Sequence, residues 1–113
     1  MAVKSVTDEP EVVLIRWGLM QQNMLGYRLV GIHAASGLAR VTSPIVAFEG
    51  LSLTAETESG RIYRLRGPSD DEAAARMIHE HIRRSGLTIC DVALATVSEV
   101  AMSFAPKPMG GWH

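Results

Sequence analysis

Residues 38–68, LARVTSPIVAFEGLSLTAETESGRIYRLRGP, decide the fold, because this stretch holds the clearest strand alternation and the clearest turns in the sequence. Apolar and polar side chains alternate from residue 51 to residue 56, which is the period of a half-buried strand. A second β-rich run, RIYRL, begins at Arg61 after a break at residues 58–60. The stretch therefore predicts a β-hairpin.

The length of the turn decides which side chains share a face of the hairpin. A two-residue turn would set Ala55 opposite Arg64 and mix apolar with charged side chains. A three-residue turn at residues 58–60 sets Ala55 opposite Tyr63. We therefore predict a type I turn closed by a bulge, with Gly60 at positive φ, where glycine has no steric cost.

This register predicts the composition of both faces of the hairpin. Oppositely charged side chains would lie close together across the outer face, where each pair contributes only ~0.2–1 kcal/mol. The predicted inner face is Leu51, Leu53, Ala55, Tyr63 and Leu65, and the predicted outer face is Ser52, Thr54, Glu56, Ile62, Arg64 and Arg66.

Three further strands precede the hairpin, at residues 12–20, 27–33 and 40–49. Short links between consecutive strands favour an antiparallel meander of about five strands, either open or curled into a small barrel. Pro44 cannot donate to a ladder, so it marks an edge strand or a bulge. An exposed edge at Pro44 would make a homodimer reasonable.

A covering helix is predicted over residues 69–85, with Ser69 as N-cap and Gly86 as C-cap. A second helix is favoured over residues 88–104, although alternation at Thr88, Cys90, Val92 and Leu94 also suits a strand. The fold class is thus α+β: a loose leader at 1–10, one globular domain at 11–104 and a flexible tail at 105–113. The apolar stripe of the first helix is Ala74, Met77, Ile78, His81 and Ile82.

Composition excludes several classes of protein. The 113 residues carry a formal net charge of −1 and one cysteine, so a disulfide within the chain and a cysteine-based zinc site are excluded. The sequence has no apolar run long enough to span a bilayer and no signal peptide, so we expect a cytoplasmic protein without membrane contact.

The histidines and the cysteine of the sequence do not form a pattern typical of a catalytic or metal site. His79 and His81 are two apart and cannot hold one metal together, and His33 is isolated. Cys90 has Asp91 beside it, and a negative neighbour raises rather than lowers the pKa of a thiol. We expect no catalytic residues, no metal and no cofactor, and hence a protein that is not an enzyme.

Binding functions remain. Residues 12–68 contain six arginines and three glutamates, a local charge balance of +3. This balance makes a nucleic-acid-binding small barrel or transcriptional regulator the second hypothesis. A small ligand-binding or enzymatic barrel is the third. We favour protein recognition, with a candidate interaction surface of Arg28, Arg40, Glu56, Arg64, Arg66 and Trp112.

The segments RW-L, GYRLVG, TSPIV and T-SGR-YRL-GP, within about residues 16–68, resemble a group of small uncharacterised proteins of bacterial prophages and related mobile elements. The predicted helices lie outside the resemblance, and no functional residue is carried over from it. The resemblance implies a context: small accessory phage proteins without catalytic machinery often bind and modulate host proteins. Such host targets include defence complexes such as CRISPR effectors.

Overall fold

A computed structural model of the protein describes residues 6–23, 26–86 and 92–104. Within them the chain forms six strands and two helices, so the predicted α+β class is confirmed. In chain order the elements are β1 (Glu11–Gln22), β2 (Gly26–His33), β3 (Ala39–Glu49), β4 (Thr54–Thr57), β5 (Ile62–Leu65), α1 (Asp71–Ser85), β6 (Val92–Ala95) and α2 (Val97–Ser103).

Strands β1 to β5 form a closed ring of hydrogen-bonded neighbours, which we call the ring. Consecutive strands pair antiparallel from β1 to β5. Because the meander has five strands, the first and last run in the same direction, and the ring closes through a parallel pairing of β5 with the start of β1. The later half of β1 pairs instead with β6.

Pro44 lies at a bulge and not at an edge. Strand β3 pairs with β2 on one side and with β4 on the other, and its register shifts on both sides of Pro44. Of the two predicted alternatives, the structure therefore has the bulge, and the exposed edge that made a homodimer reasonable is not at Pro44. Among the described residues, the strand that pairs on one side alone is β6.

The predicted hairpin register is confirmed. Ala55 lies opposite Tyr63, the Leu65 amide donates to the Leu53 carbonyl at 2.9 Å, and Gly60 has a φ of 88°. Leu51 was predicted to point inward, and that prediction is wrong, since Leu51 is 99% exposed. The Glu49 carboxylate accepts the Leu51 amide at 2.7 Å and holds residues 51–53 in a turn, so β4 begins only at Thr54.

Replacing Gly60 with valine should lower the free energy of unfolding by about 1 kcal/mol or more through backbone strain alone. A Cβ at this position would meet no heavy atom within 4 Å, so a steric clash does not contribute. Urea denaturation of Gly60→Val and of Gly60→Asn checks this, since asparagine tolerates positive φ and should cost less. An unchanged stability for Gly60→Val would contradict the turn geometry.

The ring encloses the larger of two apolar clusters. Its inward residues include the side chains of Ala55, Tyr63 and Leu65, as the hairpin register predicts. Helix α2 closes one end of the ring through Val100, which is fully buried. The buried members are Val12, Leu14, Trp17, Leu19, Leu29, Ile45, Phe48, Ala55, Tyr63, Leu65, Ala95 and Val100.

Helix α1 covers the outside of β1 and β2 and forms the second cluster with Met20 and Val30. The predicted stripe is confirmed, with Ala74 and Ile78 buried against that layer. Gly86 ends the helix at a φ of 73° as predicted. The N-cap is Asp70 rather than Ser69, because the Asp70 carboxylate accepts the Ala73 amide at 3.0 Å.

The C-terminal region holds a strand and a shorter helix than predicted. Residues 92–95 pair with 19–22 of β1, and α2 begins only after Thr96. Thr96 and Glu99 form a capping box, which starts the helix at that point. Cys90 and Asp91, the leader up to residue 5 and the tail at 105–113 lie outside the described residues.

Candidate protein-interaction surface

The outward side of β4 and β5 stays accessible, because α1 packs mainly on β1, β2, β3 and β6. Register places eight outward side chains of β3, β4, β5 and the start of β1 in two neighbouring rows, which we call the outer face. The first row is Ala47, Glu56, Ile62 and Glu11, and the second is Glu49, Thr54, Arg64 and Val13.

Charge on the outer face is acidic overall. Three carboxylates, Glu11, Glu49 and Glu56, and one guanidinium, Arg64, give a formal sum of −2. The Arg64 Nε donates to Glu11 Oε1 at 2.5 Å. The partner of Arg64 is therefore on β1, across the parallel closure of the ring, and not Glu56 on the adjacent hairpin strand.

An apolar groove opens where the outer face meets the end of α2. Its volume is about 320 Å³, and Phe104 supplies its α2 side. Val46, which is 48% exposed, and Ile62 supply apolar surface on the strands. The lining residues are Val46, Ala47, Phe48, Glu49, Thr54, Ala55, Glu56, Ile62 and Phe104, with two carboxylates and no cation among them.

Further apolar side chains flank this groove. A Cβ on Gly50 would lie 3.4 Å from the Ala101 Cβ, so the β3–β4 turn lies against α2. The residues that follow these two in the chain, Leu51 and Met102, are 99% and 79% exposed. Phe104 is held in place by an edge-to-face contact with Tyr27, with ring centroids 6.4 Å apart. The groove thus has an aromatic wall that packs against Tyr27.

The predicted surface residues divide among several places. Glu56 and Arg64 lie on the outer face, and Arg66 is exposed one position beyond β5, farther from the groove. Arg28 and Arg40 lie elsewhere on the ring. Trp112 lies outside the described residues.

Two of the predicted arginines make contacts within the fold. The Arg28 Nη1 donates to the Thr42 carbonyl at 2.9 Å, and Arg40 Nη2 lies 3.9 Å from Glu9 Oε1. Burial lowers the pKa of His81, and the positive charge of Arg28 lowers it further. Both arginines are half-buried, which limits how far a partner can reach them.

His33, which the sequence places alone, contacts a carboxylate. Its Nε2 lies 3.0 Å from Glu9 Oε2, and its Nδ1 accepts the Ser36 amide at 3.0 Å. This assigns the proton to Nε2 and leaves both ring nitrogens engaged within the fold. Glu9 and His33 also line a cavity of about 370 Å³ together with Arg66. The Arg61 Nε donates to the Glu9 carbonyl at 2.9 Å, which ties residue 9 to the ring.

Throughout the described ranges, no three His, Cys, Asp or Glu side chains are grouped so that they could hold a metal ion. None of the helices in that same part of the chain is both long and apolar enough to cross a membrane.

Comparisons with protein-family models, with curated proteins and with solved structures found no match. The resemblance to prophage and mobile-element proteins therefore stays a prediction.

Proposed function

We propose that the protein is a non-catalytic protein-binding domain and that the outer face, with its groove, contacts the partner. The observation that carries the proposal is the apolar groove of Val46, Ile62 and Phe104, which lies between the end of α2 and the outward side of β3, β4 and β5. An apolar centre with polar groups at its edge is the organisation of a protein interface. Phe104 lines this groove and Met102 is exposed near it, and phenylalanine and methionine are residue types that protein interfaces favour.

The proposed partner is a host protein or protein complex. The resemblance to mobile-element proteins makes a regulator or inhibitor, for example of a defence system such as CRISPR, the specific form of this proposal. A homodimer stays a prediction, and the unpaired side of β6 is where a second copy would add.

Two features support protein contact over nucleic-acid binding. Tyr63 is 2% exposed and Trp17 is 1% exposed, so neither offers a ring on which a base can stack. The outer face sums to −2, which repels a phosphate backbone.

A capture experiment with two matched variants tests the proposal. Val46 and Leu38 are 48% and 53% exposed, and Leu38 lies in the β2–β3 turn away from the groove. Tagged wild-type protein and Leu38→Glu should retain the same stoichiometric host protein from a bacterial lysate, and Val46→Glu should lose at least ~90% of it, because a charge enters an apolar contact. Cross-linking should map the retained protein to the outer face.

Three results would overturn this proposal. One is equal retention by both variants, another is the absence of any stoichiometric protein, and the third is a cross-link map centred elsewhere on the ring. A salt-sensitive gel shift that weakens in the Arg64→Ala, Arg66→Ala double variant would instead favour nucleic-acid binding.

A further inference from the structure

We propose that the groove recognises a partner segment in which an apolar side chain is flanked by lysine or arginine. This inference rests on the proposed function and adds the chemistry of the partner. It follows from the charges around the groove and not from its shape alone.

The apolar lining of the groove favours an apolar side chain of the partner, which we call the anchor. Val46, Ile62 and Phe104 face a space of about 320 Å³, at the low end of the range for ligand pockets. Such a space admits a side chain or two from a partner rather than a whole element. Desolvating these three residues against an apolar anchor is favourable, and a polar anchor would lose its hydrogen bonds to water there.

The carboxylates that line the groove favour positive charge on the partner. Glu56 lies between Ala47 and Ile62 in its row, so a cation bound to its carboxylate would sit directly beside the anchor. Glu49 lines the same groove one row away. A carboxylate at the edge of an apolar contact interacts more strongly with a cation than one in open solvent, because the contact excludes water.

Arg64 allows a comparison with Glu56, because the two side chains carry opposite charges on the outer face. It is the one cation among the eight outer-face residues, and it is exposed despite its ion pair with Glu11. A basic partner would be repelled by Arg64 and attracted by Glu56, whereas an acidic partner would experience the reverse. Neutralising these two residues one at a time therefore changes affinity in opposite directions, and the signs report the charge of the partner.

Two synthetic peptides serve as probes, Ac-GKLFKG-NH2 and Ac-GELFEG-NH2, titrated into ¹⁵N-labelled full-length protein and followed by amide chemical shifts. The lysine peptide should bind and shift the amides of Ala47, Thr54 and Ile62. Its Kd should rise about two- to fivefold in Glu56→Gln and fall by a similar factor in Arg64→Gln, as expected for single exposed charges. Glu72→Gln, an exposed carboxylate on α1, should leave the Kd unchanged.

The inference fails if the glutamate peptide binds as tightly as the lysine peptide, if the two variants change affinity in the reversed directions, or if neither peptide shifts the outer-face amides. Raising the salt concentration should weaken the lysine peptide, and a salt-independent Kd would likewise count against the inference. Retention of a host protein that depends on Val46 but not on Glu56 or Arg64 would leave the proposed function in place and remove this inference alone.

Discussion

Trp17→Ala is expected to lower the free energy of unfolding by about 3–5 kcal/mol, the range for truncating a buried aromatic side chain. Trp17 is 1% exposed and belongs to the apolar cluster inside the ring. Its Nε1 donates to the Gly67 carbonyl at 3.0 Å, which links β1 to the segment that leads into α1. The total free energy of unfolding of a folded protein is about 5–15 kcal/mol, so this variant should be close to the limit of folding.

Guanidinium denaturation followed by far-UV circular dichroism measures the change without relying on tryptophan fluorescence. Trp17→Phe is the matched variant, since it keeps an aromatic ring in the core and removes the indole N–H. Gly67 is exposed, so water can satisfy its carbonyl, and this variant should cost less than Trp17→Ala. A loss below about 1 kcal/mol for Trp17→Ala would mean that the ring does not enclose this side chain.

The position of Trp17 shows why the sequence could not predict the whole sheet. Strict alternation from Leu14 would turn Trp17 outward, yet both point inward. The register with β2 shifts between Ile15 and Gly18, and Arg16 has a φ of 48°, so a bulge adds a residue and reverses the alternation. A positive φ at arginine has no local sequence signal, because the surrounding contacts impose it.

Local features were predictable, and contacts between distant segments were not. The turn that contains Gly60 and the helix that ends before Gly86 depend on neighbours in the chain, and both were predicted correctly. The parallel pairing of β5 with β1 joins segments about fifty residues apart and has no turn to announce it. The Arg64–Glu11 ion pair depends on that pairing, so the charge of the outer face was also hidden.

The candidate surface was visible in part. Ile62 was the one apolar residue on the predicted polar face of the hairpin, and it lines the groove. Phe104 could not be connected with it, because the short α2 and its position against β3 follow from pairing of β6 with β1. Val46 is exposed because the bulge beside Pro44 turns it outward, another consequence of tertiary pairing.

Gly18→Ala is expected to lower the free energy of unfolding by about 1–3 kcal/mol or more, as overpacking a close contact does. A Cβ on Gly18 would lie 2.3 Å from the Ala74 Cβ, far inside van der Waals contact. Both residues are buried between β1 and α1, so neither can move toward solvent. Chemical denaturation should therefore show a lower free energy of unfolding for the whole domain.

Ala74→Gly supplies the compensating change, because it removes the atom that the new Cβ would strike. Alone it should cost about 1–2 kcal/mol, the penalty for glycine inside a helix together with the loss of a buried methyl group. Combined with Gly18→Ala it should cost less than the sum of the two single variants, by about 0.5–3 kcal/mol. Gly50→Ala, whose Cβ would lie 3.4 Å from the Ala101 Cβ, is the control for adding a methyl group elsewhere and should change stability little. Strict additivity of the two β1–α1 changes would mean that α1 does not lie against Gly18.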